Sequence, residues 1–328
     1  MWKYILKRVV ISIVILFFVG FIIYTMMRLL PTSYVENIAR QKSMQPNSKS
    51  YEEWLDQLNK TYHLDRDILP GYLSWLGEAV QLKFGDSWFY TDPVLQVFSE
   101  HIWLSFIMGV VSFFFELIIA IPLGIIAATK QYSKTDYTIS VIALAGISLP
   151  TFFFASLLKL LFSVRLNVMP LFGLISKDYN QMTSFNQFLD KAWHLVLPIV
   201  TLVVISVGSL MRFVRTNMLE ELNADYVRTA RAKGLSERKV IYHHAFRNTL
   251  IPLVTIIGGS LPGLFSGALI TETLYALPGI GYTSFQAMIA GDIPFSMFYM
   301  VFLAVLTLLG NLIADILYAV VDPRVRIS

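Results

Sequence analysis

The sequence predicts an all-α membrane protein with six transmembrane helices and a small helical extracytoplasmic insertion after the first. Three observations carry this. The 328 residues are 55% hydrophobic, with a mean hydropathy of +0.61. Only 15% are charged, against about 25% in soluble domains. The apolar residues are also gathered into runs of roughly 20 or more, the length a helix needs to cross the hydrocarbon core.

Residues 1–30 form the first span. MWKYILKR leads into an apolar run from Val9 to Met27. That run is too long for a cleavable leader, and Arg28-Leu29-Leu30-Pro31 lacks the small residues of a cleavage site, so an uncleaved helix is expected. Residues 31–101 are too long for a simple connector. ENIARQKSMQPNSKS reads as polar and mobile. In YEEWLDQLNKTYHLD, Trp54, Leu55, Leu58 and Tyr62 share one helical face and call for a small helical cap. The other five helices fall in 102–321, at 102–128, 137–163, 195–214, 250–271 and 297–321. Pro122 and Pro150 interrupt two of them, which membrane helices tolerate. The 272–296 loop, ALPGIGYTSFQAMIAGDIP in its centre, is rich in Gly and Pro and reads as a non-helical segment packed at the outer mouth or dipping into the membrane. A short tail, 322–328, closes the chain.

Lys and Arg set the orientation. The N-terminus, the 129–136 loop, the 212–249 region and the tail hold 15 of the 26 basic residues; loops 31–101, 164–194 and 272–296 hold 9 over a longer stretch. The first set is therefore expected to be cytoplasmic, with both termini inside.

Several chemistries find no support. There is no cysteine, so no disulfide scaffold or thiolate site exists. No G-x-x-x-x-G-K-[ST], H-E-x-x-H or G-x-S-x-G occurs. His243 and His244 are adjacent and point apart on a helix, so they do not face one metal. No catalytic, cofactor or metal residue is assigned. Intramembrane charge, the usual mark of an ion path, is sparse. Glu116 in the second span is a candidate pathway residue; a carboxyl hydrogen-bonded between helices is the alternative. Lys159 is placed to snorkel toward the outer surface. Asn311, Asp315 and Tyr318 form one stripe suited to joining helices.

The remaining feature is a basic, helix-prone island, EELNADYVRTARAKGLSERKVIYHHAFRNTLIP, in loop 215–249 and its flanks. Gly234 fits a helix C-cap, and Ser236 fits the N-cap of a second helix over 237–247. Ala230 and Ala232 keep the bulk low beside Tyr226, so a partner could approach closely. Three occupants compete. A DNA-reading helix needs freedom from the bilayer, which two flanking spans deny, so no nucleic-acid partner is expected. A lipid patch is opposed by Glu220, Glu221, Asp225 and Glu237. A docking element for a soluble protein fits the pattern best.

ADYVRTARAKGLSERKVIYHHAFRNTLIP resembles the cytoplasmic "EAA" loop of ABC importer permeases, in the form of the oligopeptide/dipeptide (peptide/nickel) branch. GISLPTFFFASLLKLLFSVRLNVMPLFG, ETLYALPGIGYTSFQAMIAGDIP and ADILYAVVDPRVRI resemble other segments of that family, in the right order. The long loop after the first span is similar to that of its B-type subunits. Arg228, Thr229 and Ala230 stand where the general pattern has Glu-Ala-Ala, and Pro252 comes late; the peptide branch resembles this sequence in both respects.

The resemblance implies a type I ABC importer permease fold, set in the lipid bilayer of the cytoplasmic membrane. It implies a translocation subunit, not an enzyme, paired with a homologous second permease. Two ATPase subunits would hold ATP and Mg, and an extracytoplasmic peptide-binding protein would deliver cargo. Ala224, Asp225, Tyr226, Arg228, Thr229, Ala230, Arg231, Ala232, Lys233, Gly234 and Leu235 would form the ATPase-coupling helix and its end. Peptides are the implied cargo, with nickel complexes or other small solutes as the alternative within the branch. A secondary transporter is the alternative outside it.

Overall fold

The computed structural model describes residues 2–29, 34–45, 48–61, 65 and 67–321. Tyr62 and the 322–328 tail lie outside these, as do the side chains of Asp315 and Tyr318 in the expected stripe. The chain begins with α1 (Trp2–Leu29), then α2 (Tyr34–Ser43), α3 (Tyr51–Thr61) and α4 (Ile68–Ala79). Next come α5 (Val94–Thr129), α6 (Lys134–Ser148), α7 (Thr151–Leu158) and α8 (Ser184–Leu222). The short α9 (Asp225–Ala232) and α10 (Glu237–Lys239) precede α11 (Phe246–Gly259) and α12 (Leu261–Phe265). Finally there are α13 (Leu269–Tyr275), α14 (Ile280–Ala290) and α15 (Ile293–Val321). Wider π-type turns extend α7 over Lys159–Arg165 and lead into α11 over Val240–Ala245.

Among the described residues, four helices are long and apolar enough to cross a membrane, and six spans result if each of two bent pairs counts as one. The first bent pair is α6 with α7, which turn by 101°. Leu149 is extended because Pro150 follows it, and Pro150 cannot continue the ladder. The second pair, Glu237–Leu250 with Pro252–Phe265, bends by 46° within α11 at Ile251. The expected fifth span, 250–271, is thus broken. The expected fourth span, 195–214, is only the middle of α8, whose 39 residues extend about 58 Å at 1.5 Å per residue.

Two compact units are distinguished, Met1–Trp103 with Ile280–Leu309 and Leu104–Gly279 with Gly310–Ser328. In the first, Tyr24 and Met27 of α1 pack with Tyr72 of α4, whose hydroxyl donates to the Phe17 carbonyl at 2.8 Å. The polar piece expected to be mobile is helical in its first part, α2, because Val35 and Ala39 recur one turn apart and bury against Leu58, Trp54 and Leu55 of α3. The Gly- and Pro-rich loop expected to be non-helical contains α14. Its breakers stand at the ends, Pro278 and Gly279 before and Gly291 after, while Gly281, Thr283, Ser284 and Ala287 bury between them. Asp292, fully buried, caps α15 by accepting from the Phe295 amide at 3.1 Å. It also accepts from the Ser87 hydroxyl and from the Phe89 amide at 3.1 Å, pinning the 86–93 loop to that helix start.

In the second unit α6 lies on α8. A Cβ added to Gly208 would stand 2.5 Å from the Ala143 carbonyl oxygen, and one added to Gly146 3.0 Å from that of Val204. Only glycine lets these backbones come so close. At the start of α6, Ser133 accepts from the Asp136 amide at 3.3 Å. Buried Asp136 takes a two-pronged ion pair from Arg215 of α8, 2.8 Å on each arm, and also accepts from the Tyr132 amide at 3.0 Å. Lys159 departs from expectation. Its ammonium does not snorkel but donates to the Leu274 carbonyl at 2.5 Å, 5.5 Å from the Tyr275 ring. The half-buried Leu274 carbonyl near the end of α13 is within reach of the ammonium and accepts its hydrogen bond.

Candidate functional site

The island becomes a helix with two faces. Val227 and Ala230 of α9 are buried in one core with Met211, Val214 and Met218 of α8 and Val240, Ala245 and Leu253 beyond the turn. Asp225, Tyr226, Arg228, Thr229, Arg231, Ala232, Lys233 and Gly234 are exposed; Ala224 and Leu235 are half-buried. Ala230 therefore corrects the expectation that it opens room for a partner: its methyl faces inward, one turn after Val227. Val227 was not singled out in the sequence, although its spacing from Ala230 is the i, i+3 signal of an inner face.

The helix starts at Ala224, whose carbonyl accepts from the Val227 and Arg228 amides at 3.0 and 3.2 Å. No side chain caps it. It stops as the glycine predicts. Gly234 has φ +75°, and the Leu235 amide returns to the Ala230 carbonyl at 3.4 Å. Ser236 stands at the next N-cap position but makes no side-chain cap bond, and only 237–239 is α-helical before the π-type turns. The second helix expected over 237–247 is corrected accordingly. Arg231 closes the turn by donating to Glu237 at 2.8 Å. Arg228 pairs loosely with Asp225 at 3.8 Å, and Thr229 donates to the Asp225 carbonyl at 2.9 Å. The Tyr226 phenol donates to Glu221. Burial first, and the Glu221 carboxylate after it, pushes this phenol up to about 12. It stays a neutral donor at any physiological pH.

Glu116 lies on α5 within the second unit, on the wall of a cavity of about 590 Å³. Ser206 of α8 lines the same cavity, its hydroxyl donating to the Leu202 carbonyl at 3.0 Å. A second carboxylate escaped the sequence reading. Glu272 of α13 is fully buried, accepting from the Ser105 hydroxyl at 2.6 Å and the Ala268 amide at 3.0 Å. It sits in the ETLYALPG segment, and its acid among apolar residues was the available signal.

The structure and sequence have known counterparts. A family model described as the binding-protein-dependent transport system inner membrane component matches residues 120–327. The chain belongs to that family. Over 327 residues it is 35% identical to the oligopeptide transport system permease protein AppB of Bacillus subtilis (strain 168), covering 99% of this chain and 100% of that one. It is 33% identical over 344 residues to the dipeptide transport system permease protein DppB of Escherichia coli (strain K12), covering 99% of each. Among solved structures, an inward-facing form of the MetNI methionine ABC transporter aligns with a TM-score of 0.54. It covers 70% of this chain and 97% of that one at 19% identity, which bears on fold alone. The permease is thus a multi-pass membrane protein with the type I ABC importer permease fold. Among its described residues, the α9 turn and the α5–α8 cavity hold the residues singled out above.

Proposed function

We propose that this permease is the B-type translocation subunit of an ABC importer for peptides, driven through α9 by separate ATPases. The observation that carries the reading is the two-faced helix. Asp225, Tyr226, Arg228, Thr229 and Lys233 are free to meet a cytoplasmic protein, while Val227 and Ala230 are set in the core of α8. A push on α9 is thereby a push on a long membrane helix. Relatives named for oligopeptide and dipeptide transport match over the whole chain, which supports peptides as cargo. The partners are a homologous second permease, two ATPase subunits holding ATP and Mg, and an extracytoplasmic peptide-binding protein. Both termini and α9 face the cytoplasm.

The test is reconstitution in liposomes. The permease alone is expected to hydrolyse no ATP. The full complex with binding protein is expected to import trialanine in step with ATP hydrolysis. Hydrolysis by the permease alone, uptake driven by an ion gradient without ATPases, or import of nickel without peptide would each reject the reading.

Gly234 tests the coupling role. A Cβ there meets nothing within 4 Å, so substitution acts through φ alone. A left-handed conformation costs an ordinary L-residue about 1–2 kcal/mol, and asparagine less. Gly234→Val is expected to lower uptake per ATP hydrolysed, with Gly234→Asn near wild type. Equal uptake in the valine variant would remove α9 from the coupling path.

A further inference from the structure

The cavity beside Glu116 is built by α5, α8 and the α11–α13 region of one unit. Its volume, about 590 Å³, falls inside the roughly 300–1,000 Å³ range of small-molecule sites. The walls are mainly apolar, with hydroxyls from Ser105, Ser112, Ser206, Ser209 and Ser260 and a carboxyl from Glu116. Among the described residues no Lys, Arg or His lines it. Ser112 stands one helical turn before Glu116 on the same face of α5. Its hydroxyl is buried, and no partner for it exists among the described residues. An acid and an unpartnered hydroxyl side by side, without a protein cation, form an incomplete polar pair.

We propose that this cavity binds a primary ammonium group, with Glu116 as its counter-ion and Ser112 as an accepting hydroxyl. An ammonium is a compact cation with three donors and no acceptor. It satisfies the carboxylate and the orphaned hydroxyl together, which a carboxylate or phosphate ligand cannot. Charge-assisted bonds in an apolar surround are also the strong ones. The inference rests on the peptide reading above, under which the ligand is the free α-ammonium of a peptide in transit. A cargo so held keeps its side chains against the apolar walls, where selectivity is low.

The chain has no cysteine, so a single reporter is clean. Ser209 lines the cavity and is exposed. In the reconstituted complex, Ser209→Cys is modified with N-ethylmaleimide, read on this chain by mass spectrometry. Trialanine is expected to slow modification about fivefold, and N-acetyl-trialanine not at all. Adding Glu116→Gln, or Ser112→Ala where the first fails to assemble, is expected to abolish the protection. Protection by both peptides alike, protection surviving the added substitution, or none in a complex that imports trialanine would overturn the inference alone. A complex that imports no trialanine overturns the peptide reading, and the inference with it.

Discussion

Replacing Gly279 with alanine is expected to destabilise the permease strongly. A Cβ there would fall on the carboxyl carbon and both oxygens of Glu272, which is fully buried. That carboxylate cannot swing into solvent. Moving it breaks its bonds from Ser105 and the Ala268 amide. Overpacking typically costs about 1–3 kcal/mol, and a buried polar group left unsatisfied about 1–3 more. The segment is already constrained, since Ala276 adopts φ +50° at the end of α13 and the Leu277 amide returns to the Glu272 carbonyl at 2.8 Å. The purified variant is therefore expected to show a marked fall in Tm and a low yield. Gly77→Ala is the control. It lies inside α4 with nothing within 4 Å of the added Cβ, and is expected to be neutral or to stabilise by about 0.5–1 kcal/mol. A Gly279→Ala protein that melts with wild type would show that Glu272 has room to move.

The same region shows what the sequence could and could not disclose. Membrane spans are legible because the bilayer demands long apolar runs, and α1, α5 and α15 follow them. Gly234 is legible because one φ value calls for one residue type. The length of α8 is not: its ends are polar, and hydropathy stops where lipid stops although the helix goes on. The break at Pro150 was visible as a proline but not as a 101° turn, because a kinked span and a reversing pair carry the same residue. Asp136 and Arg215 each read as loop charges, since pairing between positions 79 apart leaves no local pattern. For α9, exposure followed composition, but Ala230 misled. A small residue opens space or fills a tight core, and only the packing of Val227 beside it tells which.

Arg215→Ala is expected to separate ATP hydrolysis from transport. Arg215 stands two turns before the end of α8, on the stretch that leads to α9. Its guanidinium holds Asp136 at the start of α6 by two bonds of 2.8 Å, and the Asp136 side chain is only 4% exposed. Removing the arginine leaves a buried carboxylate with the Tyr132 amide and Ser140 hydroxyl as remaining donors. Losing one member of such a pair typically costs about 3–5 kcal/mol, less here because Arg215 is partly exposed. The cost falls locally, since α6 and α8 remain joined by the close approach at Gly146 and Gly208 further along both helices. The lower part of α8 is then free to move with α9 without carrying α6. If α9 receives the stroke, the variant should assemble and hydrolyse ATP while uptake falls about tenfold or more, the rate equivalent of roughly 1.4 kcal/mol or more of lost coupling. Asp136→Ala, which removes the buried charge along with its partner, should add little further loss to Arg215→Ala. A pair that only holds the fold would instead lower hydrolysis and uptake together, along with Tm, and would return the link between α9 and the pathway to the Val227 core alone.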